Sequence, residues 1–127
     1  MQRRDINAAD APAPAGQYSQ AVEVTGASRT LYISGQVGVG IDGKIPADAT
    51  AQAALVWANL AAQLREAGMG IENLVKITTI VPNPADVAAV RAGRAAVLGD
   101  HRPASTLIIG GLADPAWKVE VEGIAVA

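Results

Sequence analysis

Two segments near the end of the chain carry side chains that could do chemistry. The segment RPAST places the hydroxyls of Ser105 and Thr106 where a loop enters an aliphatic run. The segment VEVEG places Glu120 and Glu122 two residues apart, so that in a strand both carboxylates share one face. A carboxylate in a cleft can orient a water molecule or accept its proton. The same segment is also typical of a half-exposed strand with acidic residues at its solvent-exposed end. The pattern alone leaves both interpretations open.

Two segments in the first third of the chain are further candidates. Tyr18 lies in GQYSQAV, where packing is the commoner role of such a tyrosine. Ser34 and Gly35 lie in YISGQ, where a turn at the end of a strand is the commoner role. The lack of a side chain at Gly35 would let a ligand approach the backbone closely.

Residue counts exclude several kinds of catalytic site. The chain has no cysteine and a single histidine, His101, so disulfides, thiolate chemistry and multi-histidine metal sites are excluded. There is no GxSxG segment to support a Ser-His-Asp triad. We therefore expect no metal and interpret His101 as a solvated loop residue.

Size and charge place the chain among small globular proteins. Its 127 residues suit one domain, residues 1–127, and half of them are hydrophobic. The net charge is -2, the basic residues are scattered, and aromatic residues make up only 3%, which argues against a nucleic-acid partner. No apolar run approaches the roughly 18 residues of a membrane span, and no apolar segment follows Arg3 and Arg4 as in a secretory signal. A cytoplasmic protein without membrane contact is expected.

The elements that must position these residues alternate between strands and helices. A short first strand precedes residue 8, and strands at 20–25 and 30–36 are expected to pair across a turn at Gly26–Arg29. Asp48 caps a helix that ends near Ala67. Asn83 and Pro84 begin a second helix that ends near Leu98. Further strands are predicted at 74–81, at 105–109 and in the final KVEVEGIAVA.

This order predicts an α+β fold, a mixed sheet with two helices on one face. The first helix has an apolar stripe at Ala53, Ala54, Trp57, Leu60, Ala61 and Leu64. Its opposite face is marked by Gln52, Asn59, Gln63 and Glu66. The strands at 74–81 and 105–109 have apolar residues at odd and even positions alike, so both faces of the sheet are apolar. The face without helices must therefore also be buried. A partner subunit would cover it.

Several segments together resemble the RidA family, also called YjgF or L-PSP. Residues 16–21, GQYSQA, resemble the family's GPYSQA, and YISGQ followed by DGKIP resembles its strand and hairpin. NLVKITT, the Arg102-Pro103-Ala104 segment and EVEGIA are also similar. These matches run in order over nearly the whole chain.

The resemblance implies a chorismate-mutase-like fold and a homotrimer with ligand clefts between subunits. It implies hydrolysis of reactive 2-imino acids to 2-keto acids and ammonia, without a cofactor. Some members of the family are described as ribonucleases or translation inhibitors.

The resemblance also assigns site residues by position. Tyr18 matches the pocket tyrosine, Ser34 and Gly35 match the pocket end of a strand, and Glu122 matches the glutamate near the reacting water. Ser105 stands where the deaminases carry the arginine that grips the substrate carboxylate. Since a hydroxyl cannot replace a bidentate guanidinium, Ser105 and Thr106 suit a neutral polar ligand.

Two arginines are candidates to replace the missing one. Arg91 aligns with a pocket asparagine of the family, although both Arg91 and Arg94 equally fit an outer helix face. Arg102 is the poorer candidate, because Pro103 after it favours an extended backbone and its odd offset from Ser105 points it to the opposite strand face.

Two function classes follow from these residues. The first is a hydrolase of a small imine or enamine with weak ordinary 2-imino acid deaminase activity, and Glu122 favours it. The second is a non-catalytic module that binds a small metabolite, which the missing arginine favours. A ribonuclease ranks third, because the sequence pI is acidic and no pair of histidines is present.

Overall fold

The computed structural model describes all of residues 1–127, and its elements follow the predicted order. The strands are β1 (Gln2–Ile6), β2 (Ala21–Thr25), β3 (Thr30–Val37), β4 (Leu74–Val81), β5 (Ala104–Ile109) and β6 (Glu120–Val126). The helices are α1 (Ala49–Glu66) and α2 (Val87–Leu98), with short 3-10 turns at Ile71–Asn73 and Pro84–Asp86. Neither α-helix combines the length and the apolar character needed to span a bilayer.

The strands form two sheets. β1 and β2 form an antiparallel pair of their own, and the main sheet has the order β3-β6-β4-β5. β6 is antiparallel to both of its neighbours, whereas β5 runs parallel to β4. The predicted α+β fold, a mixed sheet with two helices on one face, is therefore confirmed.

The expected pairing of β2 with β3 is wrong. β2 pairs with β1, and β3 pairs with β6 at the far end of the chain. The backbone N–H groups of Ser28 and Arg29 both donate to the carbonyl of Ala127, 2.9 Å away, instead of closing a hairpin. Ile33 must also reach the buried core, and pairing with β6 brings it there.

α1 begins and ends where the sequence indicates, whereas α2 ends as predicted but begins at Val87, three residues after the predicted first position at Pro84. The Asp48 carboxylate accepts a hydrogen bond from the N–H of Ala51 at 2.7 Å, and Gly68 follows α1 with a φ of 71°. The Asn83 side chain accepts from the N–H of Ala85 at 3.0 Å, and one 3-10 turn leads into α2. The helices cross closely, since a Cβ at Gly93 would lie 2.9 Å from the Cβ of Ala53.

The face of α1 that packs on the sheet differs in part from the prediction. Trp57, Leu60 and Leu64 are buried as expected, but Val56 is buried and Ala54 is exposed. Gln52, expected on the solvent side, has no exposed surface. Its Nε2 donates to the carbonyls of Pro46 and Ala116 at 2.8 and 2.9 Å, and its Oε1 accepts from the N–H of Lys118 at 2.8 Å.

We expect Gln52→Leu to lower the free energy of unfolding by about 2 kcal/mol or more, because three backbone groups lose their partner. Urea denaturation monitored by circular dichroism measures this change. The matched control is Gln63→Leu on the exposed side of the same helix, for which a change within about 0.5 kcal/mol is expected. Equal effects of the two substitutions would show that the Gln52 hydrogen bonds do not stabilise the fold.

Candidate functional site

The candidate residues lie on the two opposite faces of the main sheet. Directly paired residues of neighbouring strands share a face. Ser105 pairs with Ile77, which is buried beneath the helices, so Ser105 lies on the helix-covered face. Thr106 pairs with Thr78, which also pairs with Glu122, on the other side. We call that side the open face, because no helix covers it.

The open face carries both carboxylates of the VEVEG segment. Glu122, Thr78 and Thr106 form one row across three strands, while Glu120 lies in the next row beside Ile80. Lys76 belongs to this face as well, and its Nζ donates to the Thr106 Oγ1 at 2.8 Å. We refer to Glu120 and Glu122 together as the carboxylate pair.

A bulge in β3 lies against the carboxylate pair. The pairing of β3 with β6 shifts between Ile33 and Gln36, so Ser34 and Gly35 together face the single residue Glu122. Such bulges re-aim side chains and interrupt a strand's pairing locally. A Cβ at position 35 would overlap the side chain of Glu120. Gly35 therefore permits the Glu120 carboxylate to lie on the backbone of the bulge.

The sequence assigned the water-orienting role to Glu122 and left Glu120 aside. In the structure Ser34 and Gly35 lie opposite Glu122 in the bulge, and it is Glu120 that packs on Gly35. The available signal was the two-residue spacing, which placed both carboxylates on one face.

The second group of candidates lines a cleft on the helix side of the sheet. This helix-side cleft, of about 370 Å³, is lined by Ala15, Gly16, Tyr18, Arg91, Arg94, Ser105 and Leu107. Of the residues predicted to bind a ligand, Tyr18, Arg91 and Ser105 thus line one cleft, whereas Thr106 is not among them. The Tyr18 hydroxyl accepts a hydrogen bond from the N–H of Ala15 at 3.1 Å, which leaves its own proton free to donate.

Arg94 is the residue of this cleft that sequence reasoning passed over. Burial lowers the pKa of Arg94, the nearby Arg91 lowers it further, and only Tyr18 opposes these effects. The Arg94 Nε is buried and has no hydrogen-bond partner. The sequence signal was its position three residues after Arg91, which puts the two on one side of a helix.

Arg102 is held away from the cleft. Its Nη1 donates to the carbonyl of Gly99 at 2.8 Å, in the loop that follows α2. It does not line the helix-side cleft. Arg91 therefore remains the candidate to replace the arginine that is absent at Ser105.

His101 is half-buried, so its interpretation as a solvated loop residue is wrong. Its Nε2 lies 2.7 Å from the carbonyl oxygen of Leu74 and 3.1 Å from the Arg3 Nη1. Arg3 also donates to the carbonyls of Leu74 and Arg102 at 3.1 and 2.9 Å. The histidine thus helps to tie β1 to the main sheet, where it has no contact with either candidate group.

Comparison with known proteins identifies the family. The family model described as Endoribonuclease L-PSP matches residues 8–127. The chain belongs to the RidA (L-PSP) family. The resemblance drawn from the sequence is thereby confirmed.

Relatives of this RidA-family chain include deaminases. It is 35% identical over 126 residues to a 2-iminobutanoate/2-iminopropanoate deaminase of Capra hircus, a match that covers 98% of this chain and 90% of the relative. It is 43% identical over 79 residues to a RutC family protein of Aquifex aeolicus, which covers 61% of each. The crystal structure of the Rid-family protein YyfB from Yersinia pestis covers both chains entirely, with 33% identity and a TM-score of 0.84.

The environment of His101 predicts a loss of stability in mild acid. Burial lowers the pKa of His101, and the nearby positive charge of Arg3 lowers it further. The hydrogen bond to the Leu74 carbonyl acts in the opposite direction, but the net pKa is lowered. The unfolded chain, with the ordinary pKa of about 6.5, then binds the proton more readily than the folded chain. The contribution of His101 to the free energy of unfolding is therefore fully present above about pH 6.5. It is lost as the pH falls from there towards the pKa of His101 in the folded state.

Urea denaturation of the wild type and His101→Gln between about pH 7.5 and 5 measures this dependence. His101 is the only histidine, so the difference between the two proteins isolates its titration. We expect the wild type to lose more stability than the variant over this range. Parallel curves would contradict the shift.

Proposed function

We propose that this RidA-family chain forms a homotrimer that hydrolyses a small imine or enamine, without a cofactor, in clefts between its subunits. One observation carries the proposal: the carboxylate pair and the helix-side cleft lie on opposite faces of the same sheet. Within one chain the sheet separates a group that can activate water from a group that can hold an anion. Contact between two copies would join them.

The open face supports such contact between copies. Tyr32 is 77% exposed and pairs with Ile124 on this face. Ile108 is 45% exposed on β5, which forms one edge of the sheet. Exposed apolar surface next to an unpaired edge strand favours burial against another subunit.

The reaction needs only groups that the chain supplies. A carboxylate accepts a proton from water as the water oxygen attacks the C=N carbon, and return of that proton to the nitrogen gives a carbinolamine. The carboxylate then moves the hydroxyl proton of the carbinolamine to the same nitrogen, so the C–N bond breaks, ammonia leaves and a carbonyl compound remains. The Ser34–Gly35 bulge holds the Glu120 carboxylate against the backbone, beside Glu122.

The substrate is expected to differ from that of the deaminases that carry the arginine. Ser105 removes the guanidinium that would grip a carboxylate next to the imine carbon. Arg91 and Arg94 supply positive charge from α2 instead, on another side of the cleft. A non-catalytic module that binds a small metabolite is the second candidate, and Ser105 is the observation that favours it.

We expect weak turnover of 2-iminopropanoate and 2-iminobutanoate, generated in situ by an amino-acid oxidase. Ser105→Arg should raise kcat/KM for both about tenfold or more, since a charge-assisted pair is worth about 1.5–3 kcal/mol. Ser105→Lys is the matched control, because it adds the charge without the bidentate fork. Wild-type turnover equal to that of an arginine-bearing relative would show that the arginine is dispensable.

The carboxylate pair is tested by the isosteric substitutions Glu120→Gln and Glu122→Gln on the best imine or enamine found. We expect Glu122→Gln to lower kcat about 10²-fold or more, because Glu122 matches the family's glutamate near the reacting water, and Glu120→Gln to lower it less, because the Glu120 carboxylate packs on the Gly35 bulge. A larger loss at Glu120 would assign the base to that carboxylate instead. If neither changes the rate, the base is elsewhere.

Light scattering after size exclusion supplies the control for both assays. Each variant should keep a trimeric mass. A monomeric wild type would contradict the shared cleft.

A further inference from the structure

The helix-side cleft contains two positive charges and no negative one. Arg91 and Arg94 both line it, and neither belongs to an ion pair of the chain. Like charges so close together repel, and the lowered pKa of Arg94 reflects both this repulsion and its burial. The fold therefore bears an electrostatic cost at this point, which Tyr18 opposes but no carboxylate of the chain offsets.

The other part-buried arginines of the chain do have partners. Arg3 pairs with Asp5 at 3.0 Å and donates to two backbone carbonyls. Arg102 donates to the carbonyls of Gly99 and His101. Only Arg94 keeps a buried guanidinium nitrogen without an acceptor. Buried charges are normally paired, so this nitrogen points to an acceptor that comes from outside the chain.

The rest of the lining suits the polar part of a small anion. The Tyr18 hydroxyl is held as an acceptor by the N–H of Ala15, so its proton can be donated to a ligand. The Ser105 hydroxyl offers a second donor, and its short side chain leaves open space beside the two guanidiniums. Leu107 provides an apolar wall.

We infer that the helix-side cleft binds a small dianion, either a dicarboxylate or a phosphate monoester, with Arg91 and Arg94 sharing its two negative charges. The inference rests on the proposed function only in taking this cleft as the ligand site. It changes the expected ligand from the neutral polar molecule that Ser105 and Thr106 suggested.

The number of charges follows from the pair of arginines. Residues three apart on a helix have Cβ atoms about 5–6 Å apart, so two long side chains can converge on one ligand. A monoanion neutralises one guanidinium and leaves the other without a counter-charge beside it. A dianion neutralises both, and each planar guanidinium can bind two oxygen atoms.

Calorimetry with non-reactive probes tests the inference. Succinate and butyrate have the same chain length and differ by one carboxylate, while methyl phosphate at about pH 8 carries two charges on one group. We expect at least one of the two dianions to bind tenfold or more tighter than butyrate. The tighter of the two identifies the class of ligand. Equal binding of all three probes, or no binding, would overturn the inference.

Variants of Arg94 show whether that residue supplies the difference. We expect Arg94→Met to weaken the preferred dianion about tenfold or more and to change butyrate binding less than about threefold. Arg94→Lys should recover part of the affinity, because it keeps the charge. Arg65→Met, which alters an exposed arginine on α1 outside the cleft, should leave all three affinities unchanged. Unchanged dianion binding in Arg94→Met would overturn the inference.

Thermal stability separates a ligand site from an ion pair between subunits. Arg94→Met removes repulsion from Arg91, so without ligand its melting temperature should equal or exceed that of the wild type. A lower melting temperature together with loss of the trimer would show that Arg94 pairs with a neighbouring subunit. Because these probes are not hydrolysed, absence of imine turnover would leave this result intact.

Discussion

The last strand of the sequence, β6, lies in the middle of the main sheet, and the other features of the molecule depend on that position. It hydrogen bonds to β3 on one side and to β4 on the other. Its residues alternate between the two faces, so Val121 and Ala125 are buried beneath the helices while Glu120 and Glu122 face outward. The strand that completes the core therefore also fixes the two carboxylates on a rigid surface.

Local sequence signals predicted the helices and strands, but they did not predict which distant residues these elements would contact. Asp48 caps α1, and Asn83 caps the 3-10 turn that leads into α2; both hydrogen bonds lie within three residues, so a short segment of sequence indicates them. Gln52 was misread, because the carbonyl of Ala116 and the N–H of Lys118 that satisfy its amide lie more than sixty residues away. The pairing of β3 with β6 was missed for the same reason, since a nearby turn between β2 and β3 gave the stronger local pattern.

The sequence predicted which residues belong to the candidate site, but it did not predict how they are arranged in space. Family resemblance selected Tyr18, Ser34, Gly35, Glu122 and Ser105, yet strand alternation separates Ser105 from Thr106, its neighbour in sequence. The bulge that brings Glu120 against Gly35 depends on the register between distant strands, which no short segment encodes. The unpaired state of Arg94 likewise becomes visible only when all its neighbours are known.

The central place of β6 also determines when the main sheet can be completed during synthesis of the chain. β3 has no partner in the main sheet until β6 is made, and β4 can pair only with β5 before then. Until then the β1-β2 hairpin and the two helices can form, but the apolar edges of β3 and β4 stay open to unwanted partners. Pairing of β3 with β6 closes a loop of more than eighty residues, and such long-range contacts slow the folding of a small domain. The edges of β3 and β4 that pair with β6 therefore stay exposed in the nascent chain until residues 120–126 have been made.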